Sequence, residues 1–223
     1  CWIICEGRAM IRIKICGLRR EEDVMGVNRF DINDAGFVFA KSPRQVSEER
    51  AAELRKKLRP DIDAVGVFVN ERPEKVISLV KKGVIQKVQL HGDEDERYIW
   101  KLKQNIGCPV VKAVRVQNEE SIRRAEGLGA DMLLLDTYVK DVRGGSGQIF
   151  DLRCVPELAV PWYMAGGLTP ENVAARLKER EPYGVDVSSG VETGGYKDMK
   201  KIEKFTAMVR AFEMGRDGKE DER

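Results

Sequence analysis

Eight short apolar runs, at 11–16, 35–40, 64–69, 87–91, 110–116, 132–136, 162–165 and 185–188, recur along the chain with helical patterns between them. They are rich in Val, Ile and Leu and alternate only partly, as strands covered on both faces do. Ser47 is placed to cap a helix over 47–58, with Glu48 and Glu49 in its first turn and Ala51, Leu54 and Leu58 as its apolar stripe. Arg50 stands where a full capping box wants Glu or Gln. Further helices are expected over 73–82, 118–128 and 198–212, and over 173–180 behind a Thr169 cap and Pro170. Strands alternating with helices in this way form either a closed barrel or an open doubly wound sheet. No dinucleotide-type glycine fingerprint follows the first run, where Cys16-Gly17-Leu18-Arg19 stands instead. The glycine clusters come late, after runs six, seven and eight, where an eight-stranded barrel builds its phosphate site. The expected fold is α/β, a single-domain (β/α)8 TIM barrel.

The 223 residues suffice for one domain with a full core. Lys plus Arg number 39 against 37 acidic residues, which gives no electrostatic case for nucleic acid or an anionic membrane as partner. No apolar run approaches the roughly 18 residues of a membrane span. The five cysteines are scattered at 1, 5, 16, 108 and 154, a pattern that suits a reducing, cytoplasmic compartment. His91 is the only histidine, so a histidine-rich zinc site is excluded and a Ser-His-Asp triad would have to use it. Residues 1–9 read as an extension before a natural start at Met10, 10–213 as the barrel, and 214–223 as a disordered polar tail. Within 18–33, Val24, Met25 and Val27 are the main apolar interior of a polar first helix, and the loop 139–143 has no clear place. The aromatic and methionine positions read as core.

Chemistry-bearing residues gather where the runs end. Gly144-Gly145-Ser146-Gly147, Gly166-Gly167 and Ser188-Ser189-Gly190 follow three consecutive runs. Each alone is a tight turn, but three in succession point to a phosphate cradle. Cys16 is either a buried structural thiol or a thiolate base whose pKa would be depressed. Asp136, directly after Met132-Leu133-Leu134-Leu135, emerges at the barrel mouth as a proton-holding general acid, or caps the next loop. Asp186, between Val185 and Val187, faces the same mouth or forms half of a structural ion pair. Arg44 is suited to clamp a carboxylate, although a loop arginine is more often solvated. His91 reads as a hydrogen-bonded structural residue rather than an acid or base.

Taken in order, Lys14-Ile15-Cys16-Gly17, Gly36-Phe37-Val38-Phe39 with Ser42-Pro43-Arg44, and Gly66-Val67-Phe68-Val69-Asn70 resemble the phosphoribosylanthranilate isomerases. The same holds for Gln89-Leu90-His91-Gly92, Leu134-Leu135-Asp136-Thr137, Gly144-Gly145-Ser146-Gly147, Ala165-Gly166-Gly167-Leu168 and 184–192, so the likeness spans about 10–210. The resemblance implies an Amadori rearrangement in tryptophan biosynthesis, with no metal or organic cofactor. It implies Asp136 as general acid and Cys16 as general base, Arg44 at the anthranilate end, and His91 and Asp186 along the sugar. It implies a phosphate site of Gly145, Gly166, Gly167, Ser188, Ser189 and Gly190. The expected partner is a small phosphorylated substrate, the expected assembly a monomer or homodimer. Related sugar isomerases of the histidine pathway resemble a pattern with aspartate at both catalytic strand ends, so Cys16 argues against them. Thiamine-phosphate synthase and a non-catalytic metabolite-binding barrel are the other readings.

Overall fold

A computed structural model describes residues 10–137 and 151–217, the side chains through 215. Eight parallel strands close into a barrel in sequential order: β1 (Arg12–Cys16), β2 (Asp34–Val38), β3 (Asp63–Phe68), β4 (Lys87–Leu90), β5 (Val110–Val116), β6 (Met132–Thr137), β7 (Trp162–Met164) and β8 (Gly184–Val187). The ring is completed by β1 pairing with β8, Lys14 opposite Asp186. Among the described residues seven α-helices lie outside it: α1 (Glu21–Val27), α2 (Glu48–Lys57), α3 (Pro73–Lys81), α4 (Glu96–Lys103), α5 (Glu119–Glu126), α6 (Val173–Glu179) and α7 (Met199–Asp217). The expected barrel is the observed one.

Strand alternation is sharper than the sequence reading allowed. Ile13, Ile15, Phe37, Val88, Leu90, Leu133, Leu135, Val185 and Val187 all face outward into one large apolar layer under the helices. The residues between them face the axis, where a small cavity is lined by Lys14, Asp34, Val65, Lys87, Gln89, Val111, Leu134 and Tyr163. The barrel interior is therefore mixed, charged side chains standing beside an apolar cluster of Val111, Ala113, Leu134, Tyr163 and Ala165. Asp34, fully buried, accepts hydrogen bonds from Arg12 Nε and Nη2, both at 3.1 Å, from Tyr163 Oη at 2.9 Å, and from Lys87. Because each inward column runs toward the strand C-termini, the same alternation that buries Lys14 delivers Cys16 to the mouth.

Local signals hold with corrections. Ser47 Oγ accepts from Arg50 N at 3.1 Å, capping α2 as expected. The cap of α6 is Asn172 rather than Thr169, and Pro170 sits in the preceding turn. Met25 is 51% exposed, and Gly26 is the α1 residue that faces α7: a Cβ there would lie 2.0 Å from Met199 Sδ. Trp100 is also exposed, against the reading of aromatic positions as core. On α7, Ile202, Phe205 and Val209 are fully buried. That helix runs to Asp217, past the expected start of a polar tail at 214. The extension 1–9, residues 218–223 and the loop 139–143 lie outside the described residues. No helix among those described is long and apolar enough to cross a membrane.

Candidate active site

The C-terminal ends of the strands bring most of the expected residues to one mouth. Cys16 ends β1, Asp136 lies near the end of β6, His91 directly follows β4, and Ser188 directly follows β8. Gly145 lies outside the described residues.

On the β1 side, Cys16 is 8% exposed and feels the charge of two buried cations. The Lys14 ammonium bonds Asp186 Oδ1 at 2.9 Å and also interacts with the Cys16 sulfur. Lys197, 6% exposed, also acts on the thiol through its charge. Ser188 Oγ donates to the Cys16 carbonyl at 3.0 Å, and Lys197 Nζ donates to the Ser188 carbonyl at 3.0 Å. The sulfur needs bare backbone beside it, for a Cβ on Gly36 would approach it to 2.8 Å. The expected depressed thiol pKa is not what this environment produces. Burial pushes the thiol up, Asp186 adds to the rise, and Lys14 and Lys197 offset only part of it. Asp186 is half of an ion pair with Lys14, the structural alternative raised from the sequence.

Arg44 is not a solvated loop arginine. Its Nε and Nη2 grip Glu192 Oε1 and Oε2 at 2.8 and 2.6 Å, a two-pronged pair. Lys197 joins the same carboxylate at 2.7 Å. Burial would raise the Glu192 pKa, but the bonds from Arg44 and Lys197 outweigh it and hold the carboxyl down at about 2. Glu192 and Lys197 come from a two-stranded hairpin, β9 (Glu192–Thr193) and β10 (Tyr196–Lys197), that follows the barrel. Gly17, at φ +87°, lets Arg44 close down, since a Cβ there would stand 2.5 Å from Arg44 Cδ.

Across the mouth, His91 Nε2 lies 3.4 Å from Asp136 Oδ2, and Asp136 Oδ1 accepts from Thr137 N at 2.9 Å. His91 Nδ1 lies 3.0 Å from the side-chain amide of Gln89. The expected structural role of His91 is thus visible, and its partner is the expected acid. The loops after β7 and β8 abut, because a Cβ on Gly190 would fall 1.9 Å from the Leu168 carbonyl oxygen. Gly166 and Gly167 adopt φ of +80° and +67°, and a Cβ on Gly166 would lie 2.6 Å from Asp136 Oδ1. This backbone therefore touches both Asp136 and the β8 turn.

Gln89, Glu192 and Lys197 were not singled out from the sequence. Gln89 and Glu192 stand inside motifs that carried the resemblance, but nothing in the spacing assigned them partners. Lys197 had no signal.

The model of the N-(5'phosphoribosyl)anthranilate (PRA) isomerase family matches residues 13–208. The N-(5'-phosphoribosyl)anthranilate isomerase of Acetivibrio thermocellus is 46% identical over 215 residues, covering 92% of this chain and 99% of the relative. The crystal structure of the phosphoribosyl anthranilate isomerase of Thermotoga maritima superposes with a TM-score of 0.81 at 36% identity, over 91% of this chain and 100% of that one. A phosphoribosyl anthranilate isomerase in complex with reduced 1-(o-carboxyphenylamino)-1-deoxyribulose 5-phosphate matches with a TM-score of 0.76 at 35% identity, over 91% of this chain and 100% of that one. Fold, mouth and likeness agree: the chain belongs to the N-(5'-phosphoribosyl)anthranilate isomerase family.

Proposed function

We propose that this enzyme converts N-(5-phosphoribosyl)anthranilate to 1-(2-carboxyphenylamino)-1-deoxyribulose 5-phosphate in tryptophan biosynthesis, with Asp136 as general acid and Cys16 as general base. The observation that carries this reading is one carboxyl and one thiol on the separated strands β6 and β1, both at the strand C-termini of a closed barrel. The aminoaldose ring opens when Asp136 protonates the ring oxygen, leaving an iminium at C1. The Cys16 thiolate then takes the C2 proton, and the enolamine tautomerises to the ketone. Lys14 and Lys197 favour that thiolate against its burial.

The 5-phosphate is assigned to Gly166, Gly167, Ser188, Ser189 and Gly190, together with Gly145. The positive φ values of the two β7 glycines and the contact between the β7 and β8 loops support that assignment. Arg44 meets the anthranilate carboxylate by sharing or exchanging its grip on Glu192. Asp186 and His91 line the sugar between the two ends. Cys16, Cys108 and Cys154 are unpaired thiols, which suits the cytoplasm.

Turnover of freshly generated phosphoribosylanthranilate tests the reading, with product identified by chromatography or NMR because mass does not change. Cys16→Ala and Asp136→Asn should each lower kcat by about 100- to 10,000-fold. Near-native activity in Cys16→Ala would discard the thiol as base, and absence of wild-type turnover would discard the reaction.

A further inference from the structure

We propose that Gln89 is a positioning residue of the acid centre. Its buried amide selects the tautomer of His91, and so decides whether the imidazole gives a hydrogen bond to Asp136 or accepts one from it. The proposal rests on Asp136 being the acid.

Gln89 is 2% exposed, points from β4 into the barrel axis, and places one half of its amide 3.0 Å from His91 Nδ1. Among the described residues its Oε1 is a buried oxygen with no hydrogen-bond partner. An unsatisfied buried carbonyl is costly, and an apolar side chain would avoid that cost. A primary amide brings something no apolar side chain does. A half-turn about its last bond exchanges a donor for an acceptor at the same point.

That exchange matches the two states a general acid must visit. A neutral imidazole carries one proton, and the bond made by one nitrogen decides where it sits. With the amide N–H on Nδ1, the ring proton is on Nε2 and points at Asp136 Oδ2, 3.4 Å away. This arrangement suits the carboxylate left after the proton has gone to the sugar. Once solvent has returned a proton to Asp136, Nε2 must accept, so the ring proton belongs on Nδ1. The half-turned amide then offers Oε1 to it. Between the two arrangements the ring proton moves from one nitrogen to the other through water. The catalytic proton enters at Asp136 and leaves on the ring oxygen of the substrate.

Other charges near the ring are already engaged. Lys112 of β5 is closed on Glu94 at 2.8 Å and holds the carbonyl of Gly92, the residue after His91, at 2.6 Å. Asn70, after β3, meets Asp93 instead. Among the described residues, Asp136 of β6 is left as the charge facing the imidazole.

Because His91 is the only histidine, labelling histidine with 15N gives one imidazole whose two nitrogens report the tautomer directly. With Asp136 ionised, the free wild type should show Nε2–H. Gln89→Met, similar in length and without donor or acceptor, should show a mixture of both tautomers. Its kcat should fall about 10-fold, a fraction of what the acid itself supplies, with KM within about twofold. Gln89→Glu, whose ionised form only accepts, should hold a proton on Nδ1, and it carries the test if the methionine variant does not fold. A wild-type nitrogen pattern in either folded variant would overturn the proposal. The spectra do not depend on turnover, so an active Asp136→Asn would remove the acid role without deciding the tautomer.

Discussion

Cys16 is a thiol whose surroundings pull in opposite directions. Burial and Asp186 disfavour the thiolate, while Lys14 and Lys197 favour it. The balance leaves the pKa above the ordinary thiol value, so the thiolate is the minor form at neutral pH. As pH rises toward that pKa, the thiolate absorbance, read as wild type minus Cys16→Ala, should keep growing past the usual thiol range of about 8.5. A thiolate signal already complete at neutrality would show that the two lysines outweigh burial. Lys14 is shifted the same way for another reason: burial lowers its pKa, but the Asp186 and Cys16 charges more than offset this and raise it, so it stays cationic across that range. The rise therefore belongs to the thiol rather than to Lys14.

At the level of elements, the β9–β10 hairpin supplies what the barrel strands lack. It carries Glu192 to Arg44 and Lys197 toward Cys16, and Arg19 secures it by donating to the Gly195 carbonyl at 2.8 Å. Arg19 and Arg20 also sit 4.6 and 4.2 Å from the Tyr196 ring centroid. Removing Glu192 strands two cations, one of them deeply buried. Glu192→Ala should therefore lose about 3 kcal/mol in denaturant unfolding, whereas loss of an exposed pair would cost under about 1 kcal/mol. The carboxyl is held at about 2, below its unfolded value. Its contribution is complete above roughly pH 4.5 and disappears as pH falls through that folded value. Melting curves between pH 5 and about 2 should show wild type and Glu192→Ala converging toward the acid end.

For the whole molecule, closure of the barrel puts charges on its axis and makes Asp34 a hub. Burial would push this carboxyl up, yet Lys87 and Arg12 hold it below its ordinary value. Arg12 reaches from β1 and Lys87 from β4, and both also contact Asp63 of β3, at 3.1 and 2.9 Å. Tyr163 brings in β7. The hub thus ties together five of the eight strands in the ring. Asp34→Ala should cost about 3–5 kcal/mol, because it leaves Lys87 buried with only the more exposed Asp63 as counter-charge. Urea unfolding would measure this; a loss below about 1 kcal/mol would mean that solvent reaches the axis and screens the cations.

The sequence by itself determined the eight strands, the barrel and the mouth residues Cys16, His91, Asp136 and Ser188. Those depend on local periodicity and on the rule that parallel strands deliver their C-terminal ends to one face. Boundaries shifted by a residue or two because caps and last turns are settled by packing, as at Asn172. Met25 and Gly26 exchanged roles because α7 needs a residue without a side chain where Met199 lies. Only the tertiary structure decided what the mouth residues touch. Arg44 meets Glu192 across 148 residues, and Lys14 meets Asp186 across 172. No spacing rule reaches that far, since such pairs exist only when the ring closes β8 onto β1. The thiol's direction of shift was missed for the same reason. Its two neighbouring cations pull the pKa down, but the burial that outweighs them is a property of the assembled barrel rather than of Lys14-Ile15-Cys16-Gly17.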